Sequence, residues 1–205
     1  MRVLVACEES QEVCKAFRAR GHEAFSCDIQ ECSGGYPAWH IQSDVTRLLD
    51  AGYGWDLMIA HPPCTYLGRV SVQHMDKPGR KELQDEAVEF FLKLKNAPIP
   101  KKCLENPFPQ KRVRERVGFW SQIIQPYYFG DPFIKTTCLW LIGLPKLQGL
   151  IEVAAEPGKH KPKPLGYNAR GNPYYFSDMV SKKDQAKLRS KTFPGIARAM
   201  AEQWG

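Results

Sequence analysis

The fold of this protein is decided by the stretch WDLMIAHPPCT, which runs from Trp55 to Thr65. Its apolar part, from Leu57 to Ala60, is continuous and bounded by breakers, which predicts a strand buried on both faces of a parallel sheet. The two prolines that follow lack backbone donors, so the strand ends there. Cys64 comes directly after them, at the carboxyl end of the strand, where open α/β sheets bind their ligands. A thiol at this place is a candidate nucleophile.

The composition predicts a globular, cytoplasmic protein. The chain has 205 residues, of which 43% are hydrophobic, enough for a sizeable core. No apolar stretch reaches the roughly 18 residues of a membrane-spanning helix, and the first apolar run is too short for a signal peptide. The seven cysteines are odd in number and include no C-x-x-C pair, so we predict neither a disulfide framework nor a metal site.

The formal net charge of +7 is unevenly distributed, and two segments are strongly basic. One covers 101–116. The other, over 149–180 and continuing toward Lys191, combines lysines with proline, glycine and aromatic residues, which predicts a loop. Cations interleaved with aromatic rings suit phosphate contact and base stacking, and therefore a nucleic-acid partner. Charge alone leaves open that the surface is basic only for solubility.

Strands and helices alternate along the first half of the chain, which predicts a parallel sheet with right-handed crossovers. The predicted strands are Val3 to Ala6, Glu23 to Cys27, His40 to Val45, Leu57 to Ala60 and Lys102 to Leu104, and the predicted helices are Ser10 to Arg20 and Gly79 to Lys95. Two further strands, Ile123 to Phe129 and Lys135 to Ile142, have no helix between them and predict an antiparallel edge pair. Ser181 to Trp204 is again helical in pattern, with an interruption at Phe193 to Gly195. We expect one α/β domain over 1–205.

Three acids follow predicted strands: Asp28, Asp44 and Glu105. In nucleotide-binding sheets an acid after the second strand typically binds the ribose hydroxyl groups, which suggests that role for Asp28. Asp44, after the third strand, can accept a hydrogen bond from an adenine amine. Acids at strand ends also serve as caps and turn formers, and that interpretation stays open for each of them.

These segments together resemble the DNA cytosine-5 methyltransferases, and most closely a short, phage-type branch of that superfamily. The matching segments lie in family order and cover nearly the whole chain: the cofactor loop and its helix (3–8 and 16–24), the ribose acid (26–28), the adenine-contacting motif (43–45), the Pro-Cys motif (61–64), the Glu-Asn motif (104–107), the later strands (125–141) and the closing helix (192–204). The resemblance implies a Rossmann-like class I methyltransferase sheet without a separate target-recognition domain.

The resemblance also implies an activity, the transfer of a methyl group from S-adenosylmethionine to carbon 5 of cytosine in DNA. Cys64 would add to carbon 6 of the ring, so that carbon 5 becomes nucleophilic. Glu105 would hydrogen-bond ring nitrogen 3 and the exocyclic amine. To do so it must carry or share a proton, so a raised pKa is expected. The target base would have to leave its stack.

Further site residues are implied by the same resemblance. Those expected to bind the cofactor are Ala6, Cys7, Glu8, Asp28, Ile29, Asp44, Val45, His61 and Pro62. Those expected to contact the substrate DNA are Pro63, Asn106, Arg112, Arg114, Lys135 and Thr136. His61 has two interpretations: its partial charge can lower the thiol pKa, or it packs and contacts the cofactor, which we favour.

The sequence departs from the family in two motifs. The cofactor loop, Cys7 to Gln11, contains no glycine and has two carboxylates, Glu8 and Glu9. These would disfavour the cofactor carboxylate, although one could pair with its ammonium group. The family's Gln-x-Arg-x-Arg motif has a literal match at Gln110 to Arg114, but it follows Glu105 too soon to occupy the usual strand. We predict a basic loop there that touches phosphate.

The interval that holds a recognition domain in classical members is here only the basic loop. We therefore expect short sequence specificity, a single-stranded preference, or dependence on a partner. Two alternatives remain open: the same fold acting on a free or modified pyrimidine nucleotide, and a non-catalytic DNA-binding relative. The implied setting is the cytoplasm of a bacterium or of a phage-infected host, and the oligomeric state is not predicted.

Overall fold

A computed structural model describes residues 1–175 and 191–205. The strands are β1 (Arg2–Ala6), β2 (Glu23–Asp28), β3 (His40–Gln42), β4 (Leu57–Ala60), β5 (Lys101–Pro107), β6 (Gln122–Ile124), β7 (Thr137–Ile142), β8 (Gly166–Tyr167) and β9 (Pro173–Tyr174). The helices are α1 (Glu12–Ala19), α2 (Arg80–Lys95), α3 (Lys111–Val117), α4 (Ile151–Ala155), α5 (Pro157–His160) and α6 (Pro194–Trp204). None of the helices in these two ranges has the length and apolar character needed to cross a membrane.

A seven-stranded sheet in the order β3-β2-β1-β4-β5-β7-β6 forms the centre of the molecule. Strands β1 to β5 pair in parallel, whereas β7 runs antiparallel to both of its neighbours, β5 and β6. The predicted α/β class, with a mostly parallel sheet and an antiparallel edge, is confirmed. In this arrangement Ile59 of β4 lies beside Val5 on one side and Cys103 on the other.

The continuous apolar run of β4 reflects burial on both faces of the sheet. Leu57 and Ile59 belong to one core cluster, with residues of α1 and α6, while Met58 and Ala60 belong to the other, with residues of α2 and α3. All four are fully buried. Since successive strand residues point to opposite faces, a strand covered by helices on both sides has no solvent-facing position for a polar residue.

Several predicted boundaries were wrong. The strand expected over 40–45 ends at Gln42, and Val45 begins a 3-10 turn instead. The strand expected over 123–129 is limited to β6, because Pro126 lacks an N–H donor and starts a 3-10 turn, Pro126–Phe129, instead. The region 149–180, expected to be a loop, contains α4, α5 and the β8–β9 hairpin. Its part from Phe176 onward, and the predicted helical segment from Ser181 to 190, lie outside the described residues.

Candidate active site

Parallel pairing of β1, β2, β4 and β5 brings the ends of these strands to one edge of the sheet. The predicted site residues Glu8, Asp28, Cys64 and Glu105 follow or end these four strands, so the topology collects them at this edge. A side-chain bond joins the two strands nearest the thiol: Nδ2 of Asn106 donates to the main-chain oxygen of Pro62 at 2.7 Å. Both Asn106 and Pro62 are buried, whereas Pro63 and Cys64 are exposed.

The Glu105 carboxylate is buried among three donors from separate parts of the chain. Nδ1 of His61 lies 3.1 Å from its Oε2 atom, and Oγ1 of Thr192 donates to the same oxygen at 3.4 Å. Nζ of Lys135 lies 3.6 Å from Oε1. The side chain of Glu105 is only 8% exposed. The site therefore holds a buried carboxylate whose Oε2 atom has two close partners and whose Oε1 atom faces the Lys135 ammonium.

The expectation of a raised pKa for Glu105 was wrong for the free protein. Burial by itself raises the pKa of this carboxyl, but the charge of Lys135, the hydrogen bond and charge of His61 and the hydrogen bond of Thr192 outweigh it and lower the pKa to about 2. Charged and hydrogen-bonding partners favour the ionised form. Glu105 is consequently an anion until something else enters the site.

His61 is oriented by its backbone and by Glu105. Its main-chain N–H donates to the oxygen of Ala6 at 2.9 Å, which places the residue beside the end of β1. Burial lowers the pKa of the imidazole, but the hydrogen bond and charge of Glu105, and the charge of Glu8, raise it above its ordinary value. The Nε2 atom is buried without a partner among the described residues. The ring thus pairs with Glu105, a contact that neither sequence interpretation of His61 anticipated.

Cys64 has the solvent access that a nucleophile requires. Of the seven cysteines, all of which lie in the described part of the chain, it is the exposed one. Loss of hydration raises the pKa of its thiol, the charge of Lys135 opposes this rise, and the charge of Glu105 adds to it. Lys135 therefore acts on both the thiol and the carboxylate.

The position of Lys135 depends on two hydrogen bonds of Gln125. The Oε1 atom of Gln125 accepts from the main-chain N–H of Lys135 at 3.0 Å, and its Nε2 atom donates to Oγ1 of Thr136 at 2.8 Å. Lys135 was expected on a strand, but it precedes β7 in an irregular segment. The Lys135 ammonium also lies 5.8 Å from the centre of the Phe193 ring.

The segment after Cys64 is anchored by two buried glutamines, neither of which the sequence identified for this purpose. Nε2 of Gln110 donates to Oγ of Ser71 at 2.8 Å and to the oxygen of Gly68 at 3.3 Å. Nε2 of Gln84 donates to the oxygen of Tyr66 at 2.9 Å. For Gln84 the only signal in the sequence was polarity at a position that the helical pattern of α2 would bury, and for Gln110, which precedes α3, there was no such signal.

The Gln-x-Arg-x-Arg match was expected to be a basic loop, and this was wrong. Gln110 is buried and precedes α3, which begins at Lys111. An NH2 atom of Arg112 lies 2.8 Å from the Asp85 carboxylate, so one of these cations is neutralised within the protein. The Arg114 guanidinium lies 5.0 Å from the centre of the Phe119 ring, whose exposed fraction is 72%. Contact of either arginine with DNA stays a prediction.

The acids proposed for the cofactor have local roles as well. Oδ1 of Asp28 accepts from the N–H of Gln30, and Oδ1 of Asp44 accepts from the N–H of Thr46, each at 2.9 Å. The bond from Thr46 lowers the pKa of Asp44, which stays ionised. Ile29, beside Asp28, has 74% of its surface exposed, while Val45 is buried. Within residues 1–175 and 191–205, Oδ2 of Asp28 accepts no hydrogen bond, whereas the Asp44 carboxylate is also bonded by the Thr46 side chain.

The loop between β1 and α1 reaches left-handed backbone conformations without glycine. Cys7 has φ 59° and Gln11 has φ 60°, values that glycine adopts most easily. Gln11 is held by two bonds to the main chain of Tyr36, at 2.9 and 3.0 Å. Gly34 packs so closely on this loop that a Cβ atom would lie 2.5 Å from that of Gln11. Cys7 and Gln11 therefore hold backbone conformations that glycine would adopt at a lower cost.

The carboxylates of Glu8 and Glu9 are both hydrogen-bonded within the protein, which does not favour the suggested pairing of one of them with a cofactor ammonium group. Both carboxylate oxygens of Glu8 accept from the first turn of α1, from Val13 at 2.7 Å and Cys14 at 3.2 Å. Glu9 accepts from the Ser33 hydroxyl. Because α1 has no cap from Gln11, Glu8 satisfies its free N–H groups instead.

Thr192 is a site residue that sequence reasoning did not single out. It reaches Glu105 because α6 is fixed nearby: Oδ2 of Asp131 accepts from the N–H of Gly195 at 2.9 Å. Thr192 and Glu105 are 87 positions apart, and no local pattern predicts such a pairing.

The comparisons with known proteins bear on the fold. No protein-family model and no curated protein matches the sequence. One similar solved structure, a candidate DNA modification methyltransferase encoded within a prophage of E. coli, is 15% identical with a TM-score of 0.50 over 74% of this chain and 51% of that chain. Another, the Dnmt2 methyltransferase of S. pombe, is 14% identical with a TM-score of 0.46 over 75% and 52% of the two chains. This chain thus spans about half the length of the structures it matches, and the first likeness shows a shared fold.

Proposed function

We propose that this protein transfers a methyl group from S-adenosylmethionine to carbon 5 of cytosine in DNA through a covalent adduct on Cys64. One observation supports this above all. An exposed cysteine shortly after β4 and a buried glutamate near the carboxyl end of the adjacent parallel strand β5 are both acted on electrostatically by one lysine. A nucleophile and a hydrogen-bonding acid beside it are what addition to a pyrimidine ring requires.

The chemistry assigns a separate step to each residue. The Cys64 thiolate attacks carbon 6, and the ring electrons move toward carbon 5. Glu105 bonds ring nitrogen 3 and the exocyclic amine, which stabilises the charge that develops on the ring. Lys135 favours the thiolate before attack. After methylation, loss of the carbon 5 proton expels the thiolate and restores the enzyme.

The residues at the strand ends fit the nucleoside part of S-adenosylmethionine, which supplies the electrophilic methyl group. Oδ2 of Asp28 accepts no bond from the described residues and can bind the ribose hydroxyls, Asp44 is ionised for the adenine amine, and the exposed Ile29 offers an apolar surface to the base. Other proposed cofactor residues lie at or shortly after the ends of β1, β3 and β4: Ala6, Cys7, Val45 and Pro62. At the methionine part only main-chain groups of Glu8 are left to bind, because its carboxylate is engaged by α1.

DNA is the proposed substrate because exposed basic residues accompany the site. Arg114 stands beside an exposed aromatic ring, and Lys159, Lys161, Lys163 and Arg170 are exposed in the region that replaces a recognition domain. Pro63 and Thr136 are exposed at the strand ends, next to the thiol and Lys135 respectively. Such a surface suits a backbone contact that does not depend on sequence.

The test is a covalent trap. An oligonucleotide with 5-fluorocytosine, incubated with the protein and S-adenosylmethionine, should give a complex that survives denaturing electrophoresis, because fluorine cannot leave carbon 5 as a proton does. Cys64→Ala should form none. Cys32→Ser, a change at another partly exposed cysteine, should form as much as the wild type.

Three results would contradict the proposal. A trapped complex that persists in Cys64→Ala would remove the nucleophile assignment. If the protein methylates free deoxycytidine monophosphate and added oligonucleotides do not inhibit this reaction, the substrate is a nucleotide and not DNA. Absence of both complex and S-adenosylmethionine binding by calorimetry would favour the non-catalytic alternative.

A further inference from the structure

We infer that His61 is the positioning residue for Glu105 and carries the proton that Glu105 takes up when a pyrimidine enters the site. The inference rests on the proposed function, in which Glu105 must donate a hydrogen bond to ring nitrogen 3. It assigns a role to His61 between the proposed cofactor site and the proposed site of the base.

The geometry places His61 where such a proton can move. Its Nδ1 atom lies 3.1 Å from Oε2 of Glu105, within hydrogen-bond distance, and both side chains are largely buried, at 13% and 8% exposed. The imidazole is fixed through its backbone, since the N–H of His61 donates to Ala6 at 2.9 Å. A proton on this axis is shielded from solvent, so it exchanges between these two groups first.

The charged and hydrogen-bonding groups around the His61–Glu105 pair come from three other segments of the chain. They are Glu8 from the loop before α1, Lys135 from the segment before β7, and the hydroxyl of Thr192 from the segment before α6. Lys135 and Thr192 favour an ionised Glu105 and Glu8 favours a charged His61, whereas the charge of Lys135 lowers the pKa of His61. In the free protein the proton therefore resides on His61, and Glu105 has none to donate.

The transfer is balanced within the pair. The Nδ1–H bond of His61 breaks, the O–H bond of Glu105 forms, and an imidazolium and a carboxylate become a neutral imidazole and a carboxylic acid. The net charge of the site does not change. The Nε2–H of His61 has no acceptor in the described part of the chain either before or after the transfer, because the neutral ring keeps its proton on Nε2. An entering ring nitrogen that accepts from Glu105 completes the shift.

His61→Asn tests the role, because asparagine can still donate to Glu105 but cannot release the proton. We expect kcat to fall about 100-fold, the typical contribution of a positioned proton donor, with KM for DNA and S-adenosylmethionine changed less than about threefold. Above neutral pH the variant should lose about tenfold in kcat per pH unit, since its proton must come from solvent. The wild type should stay flat until His61 loses its proton. His40→Asn, whose ring bonds Ser26 away from Glu105, is the control.

A second measurement is independent of methyl transfer. With ¹⁵N-labelled histidine, NMR should show His61 as an imidazolium in the free protein at pH 7, and as a neutral ring in Glu105→Gln. A neutral His61 ring in the free wild type, or a wild-type kcat and pH profile in His61→Asn, would overturn the inference. If the wild type transfers no methyl group, the proposed function fails, and the NMR result still decides whether Glu105 holds His61 charged.

Discussion

The side-chain amide of Asn106 donates to the main-chain oxygen of Pro62 at 2.7 Å, across 44 positions of sequence. This bond connects the end of β5, which carries Glu105, to the turn that carries Cys64. The distance between the two proposed reacting groups is thus set by a buried hydrogen bond rather than by the strand pairing alone.

Removal of this bond should affect both stability and activity. Asn106→Ala leaves the Pro62 oxygen buried without a donor, so the free energy of unfolding should fall by about 1–3 kcal/mol. A displaced cysteine should lower kcat by about 100-fold. Urea unfolding and methyl-transfer assays measure the two effects. Asn96→Ala, at an exposed position after α2, should change stability by less than about 0.5 kcal/mol. Equal effects of the two variants would contradict the role of Asn106.

The ionised state of Glu105 makes a specific contribution to the pH dependence of stability. A carboxyl with a lowered folded-state pKa stabilises the protein above the unfolded-state value of about 4.3 and loses that contribution as the pH falls toward 2. Glu105→Gln, which leaves His61 and Lys135 without their counterion, should be less stable by about 3 kcal/mol at pH 7.

The difference in the free energy of unfolding between the wild type and Glu105→Gln should narrow as the pH falls. Urea unfolding of both proteins between about pH 7 and the acid limit of folding measures it, since protonation removes the wild-type advantage while the amide is unaffected. Glu86→Gln, on the exposed side of α2, serves as the control and should follow the wild type throughout. A gap that is constant with pH would mean that folding does not lower the pKa of Glu105, and a gap that widens as the pH falls would mean that folding raises it.

The left-handed conformation of Cys7 predicts which substitutions the cofactor loop accepts. Cys7→Gly should keep the free energy of unfolding within about 1 kcal/mol, because relief of the backbone offsets the added chain entropy. Cys7→Val puts a β-branched side chain at φ 59° and should cost about 2 kcal/mol or more. Cys138→Val, in the extended backbone of β7, should be tolerated within about 1.5 kcal/mol. A Cys7→Val protein as stable as Cys7→Gly would refute the strain argument.

Gln110 should control the order of the segment after Cys64. Gln110→Ala removes the amide that bonds Gly68 and Ser71, so the backbone from Tyr66 to Ser71 should exchange its amide hydrogens faster. Unfolding should also require about 1–3 kcal/mol less free energy. Hydrogen exchange read by mass spectrometry gives the local effect. Gln73→Ala, an exposed glutamine nearby, should not alter it. Unchanged hydrogen exchange in Gln110→Ala would contradict the role of Gln110 in ordering this segment.

Sequence reasoning missed one helix near the antiparallel part of the sheet and the long-range contacts of the site. Helix α3 was missed because Lys111 to Val117 is short and rich in charge, and only its packing on α2 buries Val113 and Val117. The pKa of Glu105 was predicted in the wrong direction because its three partners come from the loop after β4, the segment before β7 and the segment before α6. Long-range electrostatics of this kind leaves no periodic trace in a sequence.

The sequence by itself determined the mostly parallel sheet with an antiparallel edge and the place of Cys64, because burial on both faces produces an unbroken apolar run and prolines end a strand wherever they occur. Tertiary structure alone decided the electrostatic state of the site. It paired His61 with Glu105, committed Glu8 to α1 and brought Lys135 within reach of both the thiol and the carboxylate. Local patterns act through backbone geometry, whereas the charge of a buried group depends on whichever distant residues the fold places around it.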